Sequence, residues 1–272
     1  MPCQSGQVHS PRRDASYTIA QDNIRAVVII PKVAKGAGYA RDRSRNLDDK
    51  VASNQVSLTD LHTATAAAGA SAVAAAVGAV AGCGLVERGL ARLEVAAPRH
   101  AQTAGSVTGA LSGVAAVFAA RHAGSWWLLP ALLVWAYGLA AAATCDAFTQ
   151  RVPTALVRQG AAATAVLVLG AAAVTGHWRW AALAAICAVA AAAIFAFCWR
   201  FLDAGFGDVR IAVLGGIGLA DPTHEGVLAA VAAFIGITLS QAIATLARGG
   251  NRHTLFPYGP GIAMAFLIAA IV

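Results

Sequence analysis

Two aspartates in this chain stand where an ionisable group is costly. Asp146 closes an apolar run in CDAFTQRVP, and Asp208 opens another in GFGDVRIAV. An acid at the depth of a membrane helix is usually retained for a purpose and faces a bundle interior or a water-filled cavity. Two such acids brought together do not ionise together easily. One then stands as a carboxylate able to activate water, and the other keeps its proton for a carbonyl oxygen. That is hydrolysis by paired acids, which calls for neither metal nor cofactor. Either aspartate alone is more often a helix cap or an interfacial residue than a catalyst, so the chemistry depends on both reaching one face.

The elements that must bring them there are apolar. The 272 residues are 58% hydrophobic and 12% charged, with a mean hydropathy of +0.64, which is the composition of a polytopic membrane protein. Crossing a hydrocarbon core takes roughly 20 apolar helical residues. Candidate runs lie at 64–86, 104–120, 125–145, 159–176, 181–199, 209–220, 227–247 and 256–272. Two of them separate Asp146 from Asp208. Two crossings return a chain to the face it left, so both carboxylates are expected at one membrane boundary.

The first two runs are rich in Ala and Gly. They carry Gly78/Gly82 and Gly105/Gly109/Gly113 at four-residue spacing, which lets helices approach closely and also arises easily by chance in so Gly-rich a chain. Basic residues sit in alternate loops: Arg88, Arg92 and Arg99, then Arg151 and Arg158, then Arg200, then Arg248 and Arg252. The positive-inside rule places these loops in the cytoplasm. The other side holds Arg121, Arg179 and the DPTHEG turn, and Trp126, Trp127, Trp178 and Trp180 are expected to form an interfacial belt there. The same scheme puts the basic N-terminal segment outside, unless the first run does not cross or the length of the segment exempts it.

Near Asp208, Gly205 and Gly207 are expected to permit positive φ and to let another chain approach, as a substrate peptide added alongside would. Pro153 is expected to stop the helix just past Asp146.

Other chemistries find no anchor. The net charge of +7 is spread over loops without a stripe, which argues against nucleic acid. Cys3, Cys83, Cys145, Cys187 and Cys198 form no C-x-x-C pair. His9, His62, His100, His122, His177, His224 and His253 fall in loops or at expected helix ends, without a second ligand four residues away. No G-x-S-x-G or phosphate-binding glycine loop occurs. Residues 1–60 differ in composition from the rest and read as a polar tail lacking fixed structure. A start placed too far upstream also fits, with Val51 or Val56 as alternative initiators.

The ordered strings resemble the type IV prepilin peptidase family of G-x-G-D membrane aspartic proteases. DAFTQRVP (Asp146 to Pro153), GFGDVRIAVLGGIGL (Gly205 to Leu219) and FPYGPGIAMAF (Phe256 to Phe266) match in order, over residues 125–272. The resemblance implies an all-α bundle with a six-helix catalytic core at 125–272 and one or two accessory spans in 61–124. It implies cleavage of the basic leader of prepilin-like membrane proteins on the cytoplasmic side of the inner membrane, for pilus or type II secretion assembly. Asp146 and Asp208 are then the catalytic dyad. Arg210 stands where many members have lysine, and a snorkelling anchor is an equal reading of it. Pro257, Gly259 and Pro260 fit an irregular helix entry lining the site, though a plain helix start is also adequate. Asp203 and Arg200 read as solvated loop residues. Larger members bear paired C-x-x-C motifs in the loop between their first two spans. Here that loop, expected at 87–103, has no cysteine, so methyl transfer is not expected. The alternative from another class is a transporter or assembly scaffold whose aspartates bind protons or cations.

Overall fold

The computed structural model describes residues 39–96, 98–201, 205–249 and 257–272, with side chains from Thr63 onward. Every regular element among them is helical: α1 (Tyr39–Arg92), α2 (Arg99–His122), a 3-10 turn (Trp126–Leu128) leading into α3 (Leu129–Thr149), α4 (Thr154–Thr175), α5 (Trp178–Phe201), α6 (Phe206–Ile217), α7 (His224–Ala247) and α8 (Gly259–Ile271). Six stretches are long and apolar enough to cross a membrane, from Thr63–Arg92 to His224–Ala247. The chain is a multi-pass helical membrane protein.

The chain divides into two compact units, Met1–Gln55 and Val56–Val272. In the first, the described residues from Tyr39 on are helical. No glycine or proline falls between Tyr39 and Ala68, which leaves local helix propensity uninterrupted. Residues 1–38 lie outside the described residues.

In the second unit, α1 and α2 pack backbone to backbone. A Cβ on Gly78 would stand 2.2 Å from the Gly109 carbonyl oxygen, and one on Gly82 2.2 Å from that of Gly105. Glycine spacing therefore sets this contact, as small-residue packing in lipid requires. Both N-terminal runs form helices of spanning length. The connection between them is shorter than 87–103, because α1 continues to Arg92 and α2 begins at Arg99.

Helix α3 is the centre. It packs against α2, α4, α6 and α8, and Trp135, Leu139, Ala141, Ala142 and Cys145 are fully enclosed. Helices α6 and α8 have 12 and 13 residues, a rise of about 18–20 Å, well short of the roughly 30 Å core. Residues 125–272 thus hold the six helices expected, four of crossing length and two shorter. The short α6 is held tightly at its C-terminal end. The indole Nε1 of Trp135 donates to the Gly215 carbonyl at 3.1 Å. A Cβ at Gly215 would meet Phe266 of α8, and one at Gly216 would meet the Ala188 backbone of α5. The Gly-Gly pair is what three neighbours leave room for.

Candidate active site

Asp146 lies one turn before the end of α3. The helix stops at Gln150, which adopts φ 53 and returns its N–H to the Asp146 carbonyl at 2.7 Å. This left-handed cap terminates α3. Pro153 instead occupies the N-cap of α4, with φ −70 and ψ 98, so its expected role as the stop passes to Gln150 and it begins the next helix.

The Asp146 side chain is 6% exposed, and its Oδ2 accepts the Gly259 N–H at 2.9 Å. Gly259 is the first residue of α8, and a proline lies within its first two positions. The bond therefore satisfies an otherwise orphan helix N-terminal donor and sets the carboxylate against the positive end of α8. A Cβ at Gly259 would stand 2.7 Å from that same oxygen, so no larger residue admits this contact. Pro257 and Pro260 flank it, both partly buried. Phe256 and Arg252 lie outside the described residues.

Asp208 occupies the third position of α6 and is 7% exposed. Its Oδ2 accepts from Gly205 N–H at 3.2 Å, and its own N–H donates to the Gly205 carbonyl at 3.0 Å. This is one half of a capping box, since Gly205 has no side chain to return the bond. Expected positive φ is absent here: Gly205 has φ −69, and Gly207 is not among the left-handed glycines. Close approach is the reason for glycine at 207, where a Cβ would fall 2.8 Å from Val152 Cγ2. The approaching chain is the protein's own α3–α4 turn.

That turn is clamped to α6 a second time. Arg210 Nη1 donates to the Thr154 hydroxyl, and its guanidinium lies over the Phe206 ring, 4.8 Å from the centroid. Val152, Thr154, Gln150 and Phe206 are thus site-shaping residues that spacing alone did not single out. The polar Thr154 directly after Pro153, opposite a basic residue two places past Asp208, was the available signal. Arg200 lies over Phe201 at 5.4 Å, and Asp203 falls outside the described residues.

The two carboxylates are both buried. Both lie at the same end of the bundle, where α3 ends and α4, α6 and α8 begin. The accessory pair reaches this end too: a Cβ on Gly89 of α1 would be 2.7 Å from Cys145 Sγ, directly before Asp146. The helix ends here also carry Arg92, Arg99, Arg151, Arg158, Arg200 and Arg248. Trp126, Trp127 and Trp178 are exposed at the other end, whereas Trp180 is buried under His177 and leaves the expected belt.

No family model, curated protein or solved structure matches the chain. What the site can do rests on its own chemistry: two buried acids at one end of the bundle, each accepting one backbone N–H.

Proposed function

We propose that this protein is a membrane aspartic endopeptidase of the prepilin-peptidase kind, working at the cytoplasmic face of the inner membrane. The observation that supports this reading is that Asp146 and Asp208 lie at the same end of the bundle, each buried and each accepting the N–H of a glycine at a helix start. One aspartate takes a proton from water, and the water oxygen attacks the scissile carbonyl. The other, protonated, donates to the carbonyl oxygen, and the proton first taken passes to the leaving amine. The backbone bonds to Gly205 and Gly259 keep each carboxyl oriented through the cycle. The arginines at this end of the bundle support assigning it to the cytoplasmic side. The substrate is a membrane protein with a basic leader on that side and an apolar helix that stays in the bilayer.

The test is leader removal from a prepilin-like substrate by the protein reconstituted in vesicles. Asp146→Asn and Asp208→Asn are each expected to lower the rate by about 10²- to 10⁴-fold, the scale of a positioned acid or base, with insertion into the membrane unchanged. The rate of the unaltered protein should fall at both low and high pH, as a shared-proton pair requires. Normal processing by either Asn variant would remove that residue from the mechanism.

A further inference from the structure

The end of the bundle away from the aspartates holds a cavity of about 300 Å³. It lies among three turns: the α2–α3 connection, the α4–α5 connection and the α6–α7 connection. Ser125, Thr175, His177, Arg179, Trp180 and Asp221 contribute its lining. Two opposite charges from separate elements face it, Arg179 from the first turn of α5 and Asp221 from the α6–α7 turn, at 3.4 Å. At 77% and 37% side-chain exposure the pair is open, and such exposed pairs hold together weakly, so a ligand can enter between them at little cost. Thr175 and His177 are fixed locally: Thr175 donates to Ala171, and His177 Nδ1 lies 3.0 Å from the Thr175 carbonyl. His177 also stacks on the buried Trp180 at 4.9 Å. Ser125 makes no capping bond with its hydroxyl.

The depth of the cavity is marked by its neighbours. Trp126, Trp127 and Trp178 are 51%, 63% and 59% exposed around it, and exposed tryptophans at helix ends lie at the level of lipid headgroups. Below it, Val174 of α4 and Ile186 of α5 are exposed apolar residues on which acyl chains can lie.

We infer that this cavity binds the headgroup of a zwitterionic phospholipid bearing a primary amine, of the phosphatidylethanolamine class. The Arg179 fork takes the phosphodiester oxygens, for which a guanidinium is well shaped. The Asp221 carboxylate, an acceptor only, takes the ammonium, which has three N–H groups to give. An anionic headgroup lacks a partner for Asp221, and a choline headgroup has no N–H to donate to it.

The experiment is native mass spectrometry of the full-length protein in detergent. It is offered an equimolar mixture of phosphatidylethanolamine, phosphatidylcholine and phosphatidylglycerol with identical acyl chains. Ethanolamine lipid is expected to be retained about tenfold over the other two, the scale of one charge-assisted hydrogen bond. Arg179→Gln should lower the retention of all three lipids, since each carries the phosphodiester, and Asp221→Asn should turn the preference toward the glycerol lipid. Equal retention of the three lipids by the unaltered protein, undiminished retention in Arg179→Gln, or an order unchanged in Asp221→Asn would overturn the assignment. Water-soluble glycerophosphoethanolamine at the same concentration should not be retained; if it binds as well as the lipid, the site serves a soluble ligand and the lipid assignment fails. Because the readout is lipid retention, the result does not depend on peptidase activity.

Discussion

Helices α3 and α7 have nearly the same apolar character and opposite surroundings. Their spanning stretches have mean hydropathies of 1.8 and 2.1, yet 78% of the first is buried inside the protein and none of the second. Helix α3 touches α1, α2, α4, α6 and α8, while α7 packs against α8 and meets α5 through Phe234, whose ring lies edge-on to Phe195 at 6.0 Å. In lipid, a hydrophobic surface gains little by choosing protein over acyl chains, so hydropathy alone does not decide which helix becomes the core. Close packing does. The alanines of α3 at 136 and 140–143 let neighbours approach from all sides, whereas α7 turns Leu228, Val231, Ile235, Leu239 and Ile243 outward as a lipid-facing stripe. The costly group, Asp146, is carried by the helix whose every side is occupied.

Substitutions can break this contrast or sharpen it. The largest expected effect lies where α8 meets α3. Gly259→Val places a side chain against the Asp146 carboxylate, and a displacement of that kind should slow leader cleavage by about 100-fold, measured in vesicles, with the protein still folded. Next is a matched pair. Leu139→Ala on α3, where the side chain is 0% exposed, should cost about 2 kcal/mol or more through the cavity it leaves. Gly109→Ala on α2 pushes against the Gly78 carbonyl oxygen, 2.1 Å from the added Cβ, and should cost about 1–3 kcal/mol by overpacking. The smallest effect belongs to α7: Leu239→Ala, at 57% exposure, should stay within about 0.5 kcal/mol. Denaturant titration in mixed micelles measures all three stabilities. If Leu239→Ala costs as much as Leu139→Ala, the outer face of α7 has a protein partner in place of lipid.

Sequence alone was enough for the helical class, the multi-pass character and the return of both aspartates to one end, because two apolar runs lie between them and each crossing reverses the chain. The glycine spacing at 78, 82, 105 and 109 allowed a close contact, but in so Gly-rich a chain the structure was needed to show that it is made. What only the tertiary structure decided were the partners. Gly259 donates to Asp146 across 113 residues, Val152 fills the space left by Gly207, Arg210 reaches Thr154, and α6 and α8 stop at half length. These depend on which helices touch and at what height, and in a chain this uniformly apolar the local pattern carries no record of the neighbour. The contact is set by shape and by the few polar atoms that must find a partner away from water.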